Sequence, residues 1–266
     1  SYSRKFFHQL VSSQLDIDRL DYLQRDSFYS GVVEGTIGVD RIIAMLDVQD
    51  DQLVVEENGI YSIENFLHAR RLMYWQLYLH KTAVSAERML VNLIRRAQYL
   101  CQSGQHLPAS AALTTFLSRT YTLDEFKSQR ELLKQFGQLD DRDIWGGLKA
   151  WQDHRDPILS ELSTALLHRQ LFQIKLSQAP ISKSMVEKVK RAVGKSRQLL
   201  QREARYLFSH GTVTNEAYVA ERQGIAIKMK DGRLLDIAQA SDLPSIKAIS
   251  KIVKKNYLCW PKNVSL

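Results

Sequence analysis

Apolar residues recur every three or four positions along most of this chain, which is the pattern of amphipathic α-helices. The helical runs lie at 4–14, 16–29, 39–46, 62–80, 86–102, 108–118, 122–136, 140–153, 157–169 and 184–208. Asp16 begins the second run and is predicted to cap its helix, because a side-chain oxygen at that position accepts a hydrogen bond from the first turn. Ser62 is predicted to begin the long fourth helix.

Strict alternation of apolar and polar residues, typical of half-buried strands, is confined to short segments. The segment 52–63 alternates on both sides of Asn58-Gly59 and predicts a hairpin that turns there. A second hairpin is predicted around Asp231-Gly232, and single strands at 171–176 and 256–260. The fold class is therefore predicted to be mainly α with a small C-terminal α+β lobe. Changes of composition suggest three parts at 1–102, 103–180 and 181–266.

Composition and charge exclude some classes of protein. Apolar residues make up 44% and charged residues 25% of 266, which is the profile of a globular chain. No apolar run approaches a membrane span and the first residues lack a signal-peptide core, so a cytoplasmic protein without a membrane partner is expected. The net charge of +8 divides into −2 for 1–100, 0 for 101–180 and +10 for 181–266. This asymmetry favours a polyanionic partner, although a solvated Lys-rich helix face explains it equally well.

The clearest candidate chemistry lies in the second helix. Asp18, Tyr22 and Asp26 are four residues apart and share one face. One carboxylate can bind a hard metal ion, while the phenol and the second carboxylate can hydrogen-bond a polar substrate. The alternative is a solvent-facing stripe in which Arg19 and Arg25 pair with neighbouring carboxylates.

A second polar stripe is predicted on the long helix that follows. It contains Arg70, Tyr74, Tyr78 and Lys81, with His80 beside it. Arginine binds phosphate through a planar fork and tyrosine packs against rings, so the stripe suits a nucleotide-like anion. An amphipathic face whose hydroxyls only meet water explains the same pattern.

The run from Asp16 to Asp26 (DIDRLDYLQRD) and the later Tyr78-Leu79-His80-Lys81 resemble the HD-domain deoxynucleoside triphosphate triphosphohydrolases. The resemblance implies an HD-superfamily helical body, of which 1–102 is the C-terminal part of the catalytic domain. It also implies metal-dependent cleavage of a dNTP to deoxynucleoside and tripolyphosphate. The roles that it assigns are metal binding for Asp18, and substrate binding for Arg19, Tyr22, Asp26, Arg70 and Tyr78.

The sequence departs from that family in its metal ligands. It has no His-Asp dipeptide, and the only histidine before Asp18 is His8. A divalent metal ion of unknown identity would thus have an incomplete ligand set, and the catalytic residues are expected in a missing upstream segment. We expect this chain to be part of a longer enzyme and inactive alone; the alternative is a degenerate relative.

The family resemblance also implies partners. A homo-oligomer is expected, together with a possible nucleotide activator, for which Arg41, His80 and Lys81 are the candidate allosteric or phosphate contacts. A reading without catalysis stays open, in which the basic C-terminal third makes the chain a nucleotide-binding, single-strand nucleic-acid-binding or regulatory module.

Overall fold

The computed structural model describes residues 3–215, 224–249 and 253–266, and it confirms a mainly helical fold with a small α+β part. The helices are α1 (Lys5–Val11), α2 (Ile17–Ser30), α3 (Val39–Ala44), α4 (Ile60–Met73), α5 (Lys81–Gln102), α6 (Ala111–Ser118), α7 (Leu123–Ser128), α8 (Arg130–Gly137), α9 (Asp141–Trp151), α10 (Pro157–Leu167), α11 (Lys183–Arg197) and α12 (Gln201–Ala204), with short helices at Ile237–Ala240 and Pro244–Ile249. The strands are β1 (Leu46–Gln49), β2 (Gln52–Glu56), β3 (Gln173–Ser177), β4 (Ser209–Asn215), β5 (Ala226–Lys228), β6 (Leu234–Asp236) and β7 (Val253–Trp260).

The described residues form two compact units. The first combines 3–80 with the described part of 213–255, and the second combines 81–212 with 256–266. Each unit joins segments that are distant in sequence, because its sheet is completed by strands from the C-terminal part of the chain. This division by packing differs from the three ranges suggested by composition, 1–102, 103–180 and 181–266, which stay a prediction about domains.

The first unit contains a four-stranded sheet in the order β1-β2-β5-β6. Strands β1 and β2 are antiparallel, whereas β2 and β5 are parallel, with Val54 opposite Ala226. The predicted hairpin around Asp231-Gly232 is confirmed: β5 and β6 are antiparallel, and Gly232 has a φ of 85° in the turn between them. Glycine suits that position because a Cβ makes a positive φ unfavourable.

The hairpin predicted at Asn58-Gly59 is wrong. The chain turns earlier, at Asp50 and Asp51, where φ is 51° and 60°. Aspartate tolerates this left-handed conformation better than most residues, and two such residues in succession make a turn whose twist matches a hairpin. Gly59 lies instead just before α4, so Ser62 is inside the helix rather than its cap. A Cβ on Gly59 would be 2.6 Å from Val55 Cγ1, so the position requires glycine for close packing.

Helix α2 follows its prediction closely. The carboxylate of Asp16 accepts a hydrogen bond from the Arg19 N–H at 2.8 Å, which confirms the N-cap. The helix ends at Gly31, whose φ of 73° is left-handed. Leu20 and Leu23 on its inner face are buried in the core of the first unit, together with Phe66 of α4. This packing fixes α2 beside α4 and brings their polar residues together.

The long helix predicted from Ser62 to residue 80 is not continuous. Helix α4 ends at Met73 and is followed by a π-helical turn, Tyr74–Tyr78, in which the Leu79 N–H donates to the Tyr74 carbonyl at 2.7 Å. Lys81 then begins α5. One extra residue in a turn rotates the side chains that follow, so the predicted stripe does not continue onto Lys81 along one helix face.

The second unit is built around α5, which packs against α6 and α10. Its core includes Met89, Leu93, Trp151 and Leu159. Strands β3, β7 and β4 form a three-stranded sheet in that order, with Ile174 opposite Cys259. The helix predicted at 122–136 consists of two helices, α7 and α8, separated at Gln129. Within the described ranges, no helix is both long and apolar enough to cross a membrane.

Candidate functional site

Polar side chains from α2, α4 and the π-helical turn meet in the first unit and form a surface that we call the tyrosine wall, made of Tyr22, Asp26, Arg70, Tyr74 and Tyr78. The Tyr78 hydroxyl donates a hydrogen bond to Asp26 Oδ2 at 2.8 Å. The ring of Tyr78 meets Tyr22 edge to face at a centroid distance of 5.8 Å, and Tyr74 at 5.3 Å. Such edge-to-face pairs hold aromatic rings in fixed orientations. The structure thus brings together Tyr22, Asp26 and Tyr78, three residues to which the family resemblance assigns substrate binding.

The π-helical turn positions two of these rings. Tyr74 begins the turn and Tyr78 ends it. π-Helical turns are uncommon and concentrate at functional sites, where they change the direction of a side chain. Here the turn holds the Tyr78 hydroxyl within hydrogen-bonding distance of α2.

Arg70 is buried and is held by Gln14, a residue outside the tyrosine wall. Only 3% of Arg70 is exposed, and its Nη1 donates to Gln14 Oε1 at 2.9 Å. Its guanidinium carbon lies 5.9 Å from the centre of the Tyr74 ring. Burial lowers the pKa of Arg70, and the positive charge of Arg19 lowers it further. Two cations therefore lie close enough to interact, an arrangement that an anionic ligand would stabilise.

Arg19 is the second of these cations. One guanidinium nitrogen pairs with Asp16, the carboxylate that caps α2. Its Nε is buried, and the described part of the chain offers that atom no hydrogen-bond acceptor. Arg19 therefore has an N–H to donate to a ligand. The alternative of a solvent-facing stripe holds for Arg25, which pairs with Asp21 on the exposed side of α2.

Two tyrosines of the wall, Tyr22 and Tyr78, have a raised pKa and are neutral over the physiological range. Burial raises the pKa of Tyr22 to about 12, and the neighbouring Tyr74 adds to this effect while Arg70 and Arg19 oppose it. Burial also raises the pKa of Tyr78, as does its hydrogen bond to Asp26. Both phenols therefore keep their protons and act as hydrogen-bond donors.

The raised pKa of Tyr22 gives a testable pH dependence. Its folded pKa lies above the ordinary value of 10.0, so its contribution to stability is complete below pH 10 and is lost as the pH rises towards 12. The difference in phenolate absorbance between wild type and Tyr22→Phe is expected to develop near pH 12. A difference that develops near pH 10 would contradict the burial that we describe.

Asp18 differs from the other residues of the first predicted stripe. It lies on the exposed side of α2, and among the described residues its side chain forms no hydrogen bond or ion pair. Within the same ranges no three His, Cys, Asp or Glu side chains are grouped so as to hold a metal ion. Asp18 offers one oxygen ligand, whereas a defined metal geometry requires several. The described residues therefore do not fit a complete metal site.

The three candidate allosteric residues do not belong to the tyrosine wall. Arg41 is exposed, and its Nη2 donates to the Asn58 carbonyl at 3.4 Å, on a surface shared with Glu57 and Asp242. His80 and Lys81 are exposed at the junction between the π-helical turn and α5. Their contact with a nucleotide stays a prediction.

Tyr74 belongs to the predicted second stripe, and in the structure it contacts both Arg70 and Tyr78. Gln14 orients Arg70 and is the member of the site that the sequence analysis does not predict. A glutamine in a loop carries no sequence signal of such a role.

Comparisons with known proteins show what this chain is similar to. Residues 37–110 match the family described as the HD associated region. The crystal structure of a phosphohydrolase from Bacteroides thetaiotaomicron is similar over 97% of this chain, with 49% identity and a TM-score of 0.89. The Bacillus subtilis protein YwfO is 36% identical over 176 residues, or 65% of this chain. The Dictyostelium discoideum deoxynucleoside triphosphate triphosphohydrolase SAMHD1 homolog is 32% identical over 107 residues, or 38% of this chain.

The chain spans only part of each of these relatives. It covers 64% of the Bacteroides phosphohydrolase, 38% of YwfO and 20% of the Dictyostelium protein. The matched region is thus one associated with HD domains, and the relatives to which the chain is similar include proteins named as a phosphohydrolase and as a deoxynucleoside triphosphate triphosphohydrolase homolog.

Proposed function

We propose that the tyrosine wall is the substrate-binding side of a metal-dependent phosphohydrolase that cleaves a dNTP to deoxynucleoside and tripolyphosphate. The observation that carries the proposal is the hydrogen bond from Tyr78 to Asp26, formed beside a second tyrosine and two neighbouring arginines. The similarity to a Dictyostelium protein named as a deoxynucleoside triphosphate triphosphohydrolase supports this choice of substrate.

Each part of the wall has a role that its chemistry suits. Asp26 accepts a hydrogen bond from a sugar hydroxyl, and Tyr78 and Tyr22 pack against the sugar or base. Arg19 and Arg70 bind phosphate oxygens, because a guanidinium donates two parallel N–H bonds to such a group. The neutral phenols donate hydrogen bonds without adding negative charge near the phosphates.

Most ligands of the metal ion would come from residues other than the described ones, because Asp18 is the single candidate ligand among them. We propose that Asp18 supplies one ligand, and that an upstream segment supplies the His and His-Asp ligands. We call this chain together with that segment the extended protein. A bound divalent ion would supply an activated water and stabilise charge on the phosphates. Since Asp18 is a single ligand, the 266 residues alone are expected to be inactive.

The proposal also covers the oligomeric state, the compartment and the regulation of the extended protein. The extended protein forms a homo-oligomer in the cytoplasm and responds to a nucleotide activator that contacts Arg41, His80 or Lys81. The two free cysteines, Cys101 and Cys259, are compatible with a reducing compartment.

Substitution of Tyr78 by phenylalanine tests the wall directly. The change removes the hydroxyl that donates to Asp26 but keeps the ring that packs on Tyr22 and Tyr74. We expect KM for dNTPs to rise by about fivefold in the extended protein, since a hydrogen bond of this kind contributes about 1 kcal/mol.

The matched control is Tyr29→Phe, because Tyr29 is 81% exposed at the end of the same helix that carries Asp26. It is expected to leave KM unchanged. If Tyr78→Phe and Tyr29→Phe both hydrolyse dNTPs with the wild-type KM, Tyr78 is not part of the substrate site.

A further inference from the structure

The π-helical turn that positions Tyr78 needs support from residues outside it. Such turns are rare, which indicates that a free chain prefers ordinary α-helical hydrogen bonding. Here the turn is closed by the hydrogen bond from the Leu79 N–H to the Tyr74 carbonyl at 2.7 Å. A contact that depends on the side-chain directions in the turn would stabilise it against a continuous α-helix.

Apolar packing fixes the place of the turn but not its conformation. Met73, the last residue of α4, is fully buried, and a Cβ on Gly35 would clash with Met73 Sδ. Within the turn, Leu77 packs against the core of the first unit. Hydrophobic contacts are not directional, so these alone do not distinguish a π-helical turn from a continued α-helix.

A directional contact is made by Trp75, which lies within the turn. The ammonium nitrogen of Lys255, in β7, is 3.9 Å from the centre of the Trp75 ring. This distance is inside the limit of about 6 Å for a cation–π interaction, and tryptophan is the most favourable ring for one. Both residues belong to the first unit and are partly buried, so water screens the attraction less than at an open surface.

The charge of Lys255 is available for this contact. Within the described ranges, Lys255 forms no salt bridge, so its ammonium group is not shared with a carboxylate. The preceding Lys254 is exposed, as expected for successive side chains of a strand, which point to opposite faces. Two adjacent lysines therefore differ in one respect that an experiment can use: Lys255 meets the π-helical turn and Lys254 meets solvent.

Loss of the contact would change the direction of Tyr78. Each residue of an α-helix advances by about 100°, so conversion of the π-helical turn to α-helix rotates the side chains that follow. The Tyr78 hydroxyl would then leave Asp26 Oδ2, to which it donates at 2.8 Å. The geometry of the tyrosine wall thus depends on a residue almost 180 positions further along the chain.

We propose that Lys255 is a positioning residue for the tyrosine wall. Its ammonium group holds the ring of Trp75 and thereby keeps the π-helical turn that directs Tyr78 towards Asp26. The effect of Lys255 on substrate binding rests on the proposed function, whereas its effect on the turn does not.

Hydrogen exchange of the Leu79 amide, measured by NMR on this chain, tests the effect on the turn. Lys255→Met removes the charge but keeps an unbranched side chain of similar length. We expect the Leu79 amide to exchange about fivefold faster in this variant, because the turn opens more often without the cation–π contact. Lys255→Arg keeps a cation and should exchange as the wild type does. Lys254→Met is the matched control and should also leave the exchange rate unchanged.

Kinetics of the extended protein test the effect on the site. Lys255→Met is expected to raise KM for dNTPs by about fivefold without changing kcat, because the wall binds substrate and does not take part in the chemical step. In the double variant Lys255→Met/Tyr78→Phe, KM should rise by less than the product of the two single effects, because both act through one hydroxyl. A general loss of structure would instead multiply with Tyr78→Phe.

Three results would overturn the proposal. The first is a Leu79 amide that exchanges at the wild-type rate in Lys255→Met, and the second is equal acceleration in Lys254→Met. The third is a wild-type KM in Lys255→Met while Tyr78→Phe raises KM. If the extended protein hydrolyses no dNTP, the proposed function fails, and the exchange measurement still decides whether Lys255 holds the turn.

Discussion

Substitution of Asp18 by alanine is expected to lower dNTP turnover in the extended protein by at least about 100-fold, because the change removes a direct metal ligand. Its stability should not change, since Asp18 is exposed and contacts no other described side chain through a hydrogen bond or ion pair. The measurement is the rate of deoxynucleoside release at saturating metal, together with the melting temperature.

The control for this substitution lies on the same helix. Asp21 is also exposed and pairs with Arg25, and Asp21→Ala is expected to retain full turnover. Full activity in Asp18→Ala would contradict the assignment of Asp18, whereas equal losses in both variants would indicate a general effect of charge on α2.

The largest effect on stability is expected at Asp156, in the second unit. Its carboxylate caps α10 by accepting from the Leu159 N–H at 2.9 Å. It also accepts two hydrogen bonds from Arg96, at 3.1 Å from Nε and 2.5 Å from Nη2. The side chain of Arg96 is only 6% exposed. Asp156→Ala removes the cap and leaves a buried cation with the more distant Glu203 as its remaining acidic partner.

We expect Asp156→Ala to lower the free energy of unfolding by about 3–5 kcal/mol, because a buried charge that loses its partner is strongly destabilising. Denaturant unfolding monitored by circular dichroism measures the change. Asp156→Asn keeps a capping oxygen but not the charge, so it should lose less. Asp124→Ala, which breaks an exposed pair with Lys127, should change stability by less than about 1 kcal/mol. A loss at Asp156 no larger than at Asp124 would contradict the buried pair.

The parts of the fold that local sequence determines were predictable. Helix α2 has a capping aspartate at its start, buried leucines on one face and glycine at its end, and each of these signals acts within a few residues. The same helix carries Asp18, Tyr22 and Asp26, so its polar face could be identified before the structure. The turn around Gly232 was predictable for the same reason.

The parts that depend on distant residues were not predictable. Asn58-Gly59 is a strong local turn signal, yet the chain uses Gly59 for close packing against Val55 and turns at Asp50 and Asp51 instead. The parallel pairing of β2 with β5 joins residues that are more than 160 positions apart. Neither periodicity nor turn chemistry reports such pairings, because they follow from the packing of the whole unit.

The geometry of the tyrosine wall also depends on residues that are distant in sequence. The contact between Tyr78 and Asp26 joins two motifs whose order in the sequence gives no distance between them. The π-helical turn that makes this contact breaks the helical period on which the second stripe was predicted. The identities of the residues were therefore predictable, but their geometry was not.

The central claim is that the tyrosine wall binds a dNTP for cleavage that releases its whole triphosphate. The most direct measurement is phosphorus NMR of the products after incubation of the extended protein with a dNTP and a divalent metal ion. Tripolyphosphate and deoxynucleoside are expected in equal amounts, and Asp18→Ala is expected to release both at least about 100-fold more slowly. Pyrophosphate with deoxynucleoside monophosphate, or orthophosphate with the diphosphate, would contradict this assignment.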